Sequence, residues 1–421
     1  MSQLEPEIVT FGCRLNTYES EVMRAHAQAQ GLKNAIIVNT CSVTNEAERQ
    51  ARQAIRKARK DHPHSMIIVT GCSVQQNPDL YSQMPEVDRI LGNHEKMQAE
   101  SFSPLLSSRI ILSDIMQVRE TATHLVSGFE NHVRAFIEIQ NGCDHRCTFC
   151  SIPFARGPNR SVPIAEIVRQ LKHLVNKGCK EIIFTGVDIT GYGGDLPGQP
   201  TLAQMIKRVL SQVPEINRLR LSSLDPVEID QELIDLFGKE ERLMPHVHLS
   251  IQAGDNIILK RMKRRHLRED AIKICKRLRK ARKDIAFGAD IIAGFPTENE
   301  VMFQNTLDII EECNISYLHV FPYSARRDTP AARMPQVAKD IIKNRASQLR
   351  EIGKKKLNEF LQTQVDYSLN VLVERNFKGH TDHFAPVQLE GAQLDEKWIG
   401  TIIPVKIIGL TSSKLRAIPY G

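Results

Sequence analysis

Hydrophobic and polar positions follow two rhythms along this chain. Residues 8–10, 35–38 and 66–69 are short apolar, β-branched runs, and the stretches at about 17–30 and 45–60 carry apolar residues at helical spacing. That order predicts a parallel sheet with helices on its faces. Residues 98–131 keep no sustained period and read as a connector. From residue 134 the alternation resumes, with strand-like runs at 135–139, 181–185, 218–222, 247–251, 287–292 and 317–321 and helical patterns between them. Six such units predict a barrel-type sheet two units short of the closed eightfold barrel, and therefore open on one side. A long helix over 336–361 ends this region. Short β-type runs at 365–373, 379–383, 386–389, 401–408 and 415–418 then predict a small β-barrel. The fold class is α/β in three parts: an open parallel α/β domain over 1–125, an incomplete (β/α)6 barrel over 130–360, and a small β-barrel over 361–421.

Composition narrows the setting. At 421 residues, 41% hydrophobic and 25% charged, the chain has an ordinary globular make-up, which excludes disorder, collagen-like repeats and coiled coil as its main state. No apolar run approaches the roughly 18 residues of a membrane helix. The amino end, Met1-Ser-Gln-Leu-Glu-Pro-Glu7, has acids where a secretory signal needs bases. The expectation is a cytoplasmic protein without a membrane partner. Its nine cysteines, an odd number, are then mostly reduced and form no disulfide framework. The net charge of +7 is unevenly spread: thirteen Lys or Arg stand against Glu269 and Asp270 between Lys260 and Lys283, and further basic runs span 49–60 and 343–356. Each run suits a polyanion, against the plainer reading of a solvated helix face.

The thiols carry the chemistry. Cys143, Cys147 and Cys150 form a CxxxCxxC directly after the first barrel strand, close enough to wrap one face of a metal centre. Structural zinc takes a fourth protein ligand, for which His145 is the near candidate; an iron–sulfur cluster on three cysteines leaves one iron open. Cys13, Cys41 and Cys72 each fall one to three residues beyond a predicted parallel strand, at gaps of 28 and 31. Parallel strands end on one edge, where ligands of open α/β sheets bind, so these three can converge. Gly12 and Gly71 permit tight turns there. The expectation is a second three-cysteine cluster with its own open iron, against three ordinary buried cysteines at strand ends. Cys179, Cys275 and Cys313 lie in helical or helix-end patterns and read as core.

The CxxxCxxC at the end of the first strand of a six-unit barrel resembles the radical S-adenosylmethionine (SAM) superfamily. With the amino-terminal trio and the β tail, essentially the whole chain is similar to its methylthiotransferase family, and the tail resembles a TRAM domain, an RNA-binding module. The motifs are Phe11-Gly-Cys-Arg-Leu-Asn16, Asn39-Thr-Cys-Ser-Val-Thr44, Ala155-Arg-Gly-Pro-Asn-Arg-Ser161, Thr185-Gly-Val-Asp-Ile-Thr-Gly-Tyr-Gly193, Leu221-Ser-Ser-Leu-Asp-Pro226, Leu249-Ser-Ile-Gln-Ala-Gly254 with Lys260-Arg-Met-Lys-Arg264, Ala289-Asp-Ile-Ile-Ala-Gly-Phe-Pro296 and His319-Val-Phe-Pro-Tyr-Ser324.

The resemblance implies two [4Fe-4S] clusters: one on Cys143, Cys147 and Cys150 that cleaves SAM, with Phe149 near the adenine, and one on Cys13, Cys41 and Cys72 that carries sulfur. One SAM donates the methyl group and a second supplies the radical. Gly186, Ser222, Ser223 and Gln252, at barrel strand ends, are the expected SAM contacts, although each also reads as a turn or cap residue. Tyr18-Glu-Ser20 after the first cysteine motif, with His319 to Arg326 and Thr329-Pro-Ala-Ala-Arg-Met334, resembles the type acting at C2 of threonylcarbamoyladenosine beside the tRNA anticodon. The alternatives are the types acting on isopentenyladenosine in tRNA or on a ribosomal-protein aspartate, and a non-enzymatic, zinc-containing RNA-binding protein. Two positions depart from the pattern: Arg327-Asp328 where a Gly precedes Thr329, and Ala253 where a Ser follows the Gln. The implied partners are tRNA and an electron donor such as a flavodoxin or ferredoxin.

Overall fold

The computed structural model describes residues 5–119, 133–391 and 394–420. The expected boundary between 125 and 130 and the first four residues lie outside these. Glu7–Thr10 (β1), Ala35–Thr40 (β2), Met66–Gly71 (β3), Arg89–Leu91 (β4) and Ile110–Ile111 (β5) form one sheet in chain order, every pair parallel. Strand alternation sorts the core between two faces. Ile36, Val38, Ile67 and Val69 pack with Ile55 and Tyr81, whereas Ile37, Ile68 and Leu91 pack with Met23, Ala27 and Phe102. The sheet is therefore longer than the three predicted strands. β4 and β5 are three and two residues long, too short to show a period, and β5 falls within the expected connector.

The next sheet is the incomplete barrel. Arg134–Glu138 (β6) is followed by a small hairpin of Gln140–Asn141 (β7) with Arg160–Ser161 (β8). Glu181–Thr185 (β9) and Arg218–Leu221 (β10) extend β6 in parallel. His246–Gln252 (β11), Ala286–Ala293 (β12) and Ile315–Pro322 (β13) form a second parallel trio. Bridges Leu219–Leu243 and Leu224–Leu249 join the two halves. β6 and β13 are the free edges, and the long helix Lys339–Gln362 lies against β13.

Outward-facing Ala135, Ile137, Ile182, Phe184, Leu219, Leu221, Val247, Leu249, Phe287 and Ala289 form the main core under the surrounding helices. The alternate positions include buried Arg134, Glu138, Glu181, Arg218, Arg220, His246 and His248. A closed eightfold barrel fills its centre with branched apolar side chains; the interior of this one carries buried charges.

The tail is a closed five-stranded barrel of Ser368–Val373 (β14), Lys378–Thr381 (β15), Pro386–Leu389 (β16), Ile402–Leu410 (β17) and Leu415–Pro419 (β18), around Val371, Val387, Val405 and Leu415. It docks on the amino-terminal ends of the large barrel's strands. Arg218 donates to the Asn370 carbonyl (3.0 Å), Arg220 to those of Thr381 and Asp382 (2.8 Å each), and Arg134 pairs with Glu374. Among the described residues, no helix is long and apolar enough to cross a membrane.

The basic runs are only partly free surface. Arg268 donates to the Gly254 carbonyl and pairs with Glu312, Arg279 holds the Cys313 carbonyl, Arg282 that of Leu243, and Arg345 pairs with Glu298. These arginines fasten helices to neighbouring helices and loops, so charge density along the sequence overstates the polyanion face.

Candidate cluster and cofactor site

Cys41 and Cys72 directly follow β2 and β3, and Cys13 lies three residues beyond β1, so all three stand on one sheet edge. A Cβ on Gly12 would lie 2.9 Å from the Cys41 sulfur, and one on Gly71 (φ 103°) would lie 2.3 Å from the Thr40 carbonyl oxygen. Only glycine lets these loops close that tightly. Asn16 laces them together, donating from Nδ2 to the Phe11 (2.6 Å) and Thr40 (3.2 Å) carbonyls. Burial pushes the Cys41 thiol up to about 12, and the neighbouring Cys72 and Cys13 thiols push the same way.

Cys143, Cys147 and Cys150 occupy the loop after β7. Gly142 (φ 73°) opens it; a Cβ there would lie 1.8 Å from the Pro158 carbonyl oxygen. The Cys143 amide donates to the Gly157 carbonyl, and Thr148 pins the loop through its amide to Met262 (3.0 Å) and its hydroxyl to Arg261 (2.7 Å). Burial pushes the Cys150 thiol up to about 12, with Cys147 and, from the other sheet, Cys72 adding to it. Cys143 is raised by burial and by Asp188. Such thiols hold their protons at neutral pH until a metal displaces them.

The donor set fits clusters of three thiolates. His145, the candidate fourth zinc ligand, has its Nε2 within 2.8 Å of both the Asp188 carboxylate and the Arg265 guanidinium, which commits it to an ion network. Beside the second trio, the Cys13 thiol faces the Asn16 side-chain oxygen (3.9 Å), and Asn93 Nδ2 donates to the Cys72 sulfur (3.7 Å). The two remaining buried cysteines, Cys275 and Cys313, belong to the barrel core, and the Cys179 thiol donates to the Glu181 carbonyl (3.4 Å).

One side chain ties the trios together. Arg156, six residues beyond Cys150, is buried; its Nε donates to the Cys72 sulfur (3.2 Å), and its other nitrogens to Asn16 (2.6 Å) and Glu19 (2.8 and 3.0 Å). Lys96 reaches the same Glu19 carboxylate at 2.6 Å. Burial alone would raise Glu19; Arg156 and Lys96 outweigh it and hold the group at about 2. Asn93 adds a bond to the Ala155 carbonyl (2.8 Å), and Gln76 one to that of Ser151 (2.7 Å). A second guanidinium, Arg264, stands 3.9 Å from the Cys147 sulfur while pairing with Asp225 (2.9 Å).

The five remaining candidate residues lie around the mouth of the barrel. Phe149 packs edge-on to Phe295 (6.4 Å between centroids) in an apolar cluster with Ala253, Ile292 and Met262. Gly186 abuts Gln140, whose side-chain oxygen a Cβ would approach to 2.8 Å. Ser222 and Ser223 follow β10 half-buried, and Gln252 ends β11 at φ 70°, where the β11–β12 register shifts. No side-chain hydrogen bond engages Ser222, Ser223 or Gln252 among the described residues, which leaves these polar groups available to a ligand. A left-handed glutamine at a strand end is the kind of strained backbone found at binding sites. Both departures from the motif pattern fit this setting: Ala253 is fully buried beside Phe149, where a hydroxyl would need a partner, and Arg327–Asp328 is an exposed loop ion pair.

Sequence reasoning missed the polar residues on the inner face of the barrel. His248 Nε2 (2.9 Å) and His319 Nδ1 (3.2 Å) share one Asp290 oxygen. Glu138, at the end of β6, is raised to about 7 by burial first and Glu19 second. The signal existed in part: Arg156 and Glu19 fall inside quoted motifs, as charges at positions where helix spacing demands burial.

Residues 137–310 match the Radical SAM superfamily, and residues 6–92 match the uncharacterized protein family UPF0004. The threonylcarbamoyladenosine tRNA methylthiotransferase MtaB of Rickettsia prowazekii is 54% identical over 417 residues, which is 99% of this chain and 98% of the relative. The tRNA-2-methylthio-N(6)-dimethylallyladenosine synthase of Neorickettsia sennetsu is 30% identical over 93% of this chain and 88% of its own length. A solved structure, the radical SAM methyltransferase TsrM from Kitasatospora setae, aligns with a TM-score of 0.56 at 16% identity, over 79% of this chain and 77% of that one, a likeness of fold. With identity above half along its entire length and both thiol-bearing regions matched, this chain belongs to the radical-SAM methylthiotransferase family.

Proposed function

We propose that this enzyme adds a methylthio group at C2 of N6-threonylcarbamoyladenosine next to the anticodon of tRNA, using two [4Fe-4S] clusters and two SAM molecules per product. The observation that carries the proposal is the approach of two thiol trios along one seam, with Arg156 bonded to Cys72 from the segment that follows Cys150. When bound, the cluster on Cys143, Cys147 and Cys150 would supply the electron for SAM cleavage, and that on Cys13, Cys41 and Cys72 would hold the sulfur to be transferred. Phe149 would offer its ring to the SAM adenine, Gly186 the close backbone approach, and Ser222, Ser223 and Gln252 their free polar groups. The buried Arg156–Glu19–Lys96 set would keep the trios at a fixed separation.

Residues 1–125 would thus form the sulfur-carrying unit, 130–360 the SAM-cleaving unit, and 361–421 a TRAM-like unit that binds RNA. The modified base is supported by the name of the 54% identical relative, against 30% for the dimethylallyladenosine enzyme. A flavodoxin or ferredoxin would deliver the electron.

Nucleoside mass spectrometry of tRNA from cells lacking the gene tests the reading: 2-methylthio-threonylcarbamoyladenosine should vanish and return on complementation. Its persistence overturns the assignment. Cys147→Ala should abolish 5′-deoxyadenosine formation, whereas Cys41→Ala should retain it and lose methylthiolation. Anaerobically reconstituted protein should hold about two four-iron clusters; one cluster removes the second-trio assignment.

A further inference from the structure

Arg156 divides its donors between oxygen and sulfur. Its Nη1 goes to Glu19 (2.8 Å) and Asn141 (3.2 Å), and its Nη2 to Asn16 (2.6 Å) and Glu19 (3.0 Å). Its Nε goes to the Cys72 sulfur at 3.2 Å, which Asn93 Nδ2 also approaches at 3.7 Å. Arg156 and Cys72 are both buried.

Glu19 alone does not balance the charge of this seam. Fully buried Lys96 takes the same carboxylate at 2.6 Å, so two cations meet one anion. The next carboxyl, Glu138, accepts from Asn141 (3.0 Å), whose oxygen accepts from Arg156. Burial first and Glu19 second push Glu138 up to about 7, so it neutralises the surplus only in part. Buried positive charge calls for an anion to complete it. The Arg156 Nε points at a group that becomes one: Cys72 is a thiolate once it ligates iron.

The other trio lacks this arrangement. Arg264 stands farther off, 3.9 Å from the Cys147 sulfur, and is committed to Asp225 at 2.9 Å. Cys143 faces the Asp188 carboxylate at 3.9 Å. Hydrogen bonds to the ligating sulfurs and the net charge nearby set the reduction potential of an iron–sulfur cluster. An N–H donor and a surplus cation both favour the reduced form, which carries one more negative charge, and a buried site strengthens both effects.

We propose that Arg156, through its hydrogen bond to Cys72, raises the reduction potential of the cluster on Cys13, Cys41 and Cys72. This rests on the two-cluster reading above. Arg156 is thus a tuning residue that acts through a ligand and touches no substrate.

The test is a dithionite titration of anaerobically reconstituted full-length protein, read by the electron paramagnetic resonance of the reduced cluster. Replacing Cys143, Cys147 and Cys150 by Ala leaves the amino-terminal trio alone to hold iron; replacing Cys13, Cys41 and Cys72 leaves the other. In the first protein Arg156→Gln should lower the reduced-to-oxidised ratio at the original midpoint by about tenfold, which is about 59 mV for one electron. Arg156→Lys should fall in between, since it keeps the charge and loses the fork. In the second protein Arg156→Gln should move the ratio by less than about threefold, because charge effects weaken with distance. An unmoved ratio in the first protein, or an equal fall in both, overturns the proposal. Should Arg156→Gln take up no iron, the ratio is read on Glu19→Gln: loss of the balancing anion should raise it, and an unchanged or lowered ratio overturns the proposal. An amino-terminal trio that assembles no four-iron cluster with Arg156 intact refutes the two-cluster reading instead.

Discussion

Arg156 reaches from the segment after one thiol trio to a thiol of the other: its Nε lies 3.2 Å from the Cys72 sulfur, while its remaining nitrogens hold Asn16 and Glu19 on the helix behind Cys13. The amino-terminal sheet and the barrel are registered through this buried charge network. Its worth lies in what removal would leave. Arg156→Ala strands a buried Glu19 carboxylate with Lys96 as its remaining cation, and breaking such a pair costs about 3–5 kcal/mol. The urea midpoint of the metal-free protein should fall accordingly, with Arg156→Lys in between because an ammonium cannot serve four acceptors in a fork. An unchanged midpoint would mean the seam is held elsewhere.

Glu138 makes stability depend on pH in a stated direction. Its folded value, about 7, lies above the ordinary 4.5. The folded state therefore favours the protonated form: the stabilisation is complete below about pH 4.5 and is lost as pH rises through 7. Glu138→Gln mimics the neutral group. Wild type should lose stability relative to this variant between pH 5 and 8, by on the order of 3 kcal/mol in total. Melting curves that stay parallel across this range would contradict the raised value.

Gly142 and Gly178 both adopt left-handed backbone, at φ 73° and 87°, but in different surroundings. Gly178→Ala meets nothing within 4 Å and should cost only about 1–2 kcal/mol of backbone strain. Gly142→Ala drives a Cβ into the Pro158 carbonyl and must shift the Cys143 loop. Iron content after reconstitution should fall in the Gly142 variant and hold in the Gly178 variant; equal iron in both would show that the loop tolerates the shift.

Phe384 bolts the tail barrel to the large one, with its ring stacked on His380 (4.6 Å) and tilted over His246 (5.2 Å), amid Arg14, Arg134 and Arg220. Truncation to Ala should cost about 3 kcal/mol, at the low end of buried aromatic deletions because the ring is half-exposed. Limited proteolysis should then cut between the barrels faster than in wild type. An unaltered rate would mean the Arg218 and Arg220 bonds suffice.

The sequence by itself determined the strand–helix order, the six-unit barrel, the five tail strands and the position of every thiol trio relative to a strand end. These are local: a continuous apolar run and a cysteine just past it lie within ten residues, and parallel strands then send their ends to one edge. Tertiary structure decided the rest. β4 and β5 are strands only because a longer neighbour supplies their hydrogen bonds, so no period announces them. The arginines of the basic runs became fasteners once carbonyls and carboxylates closed on them. Arg156 with Glu19, His319 with Asp290 and Phe384 with Arg14 are separated by 137, 29 and 370 positions. A charge is driven to such a partner by the cost of leaving it buried alone, and which distant residue answers that cost is a property of the folded seam, not of the residues flanking it.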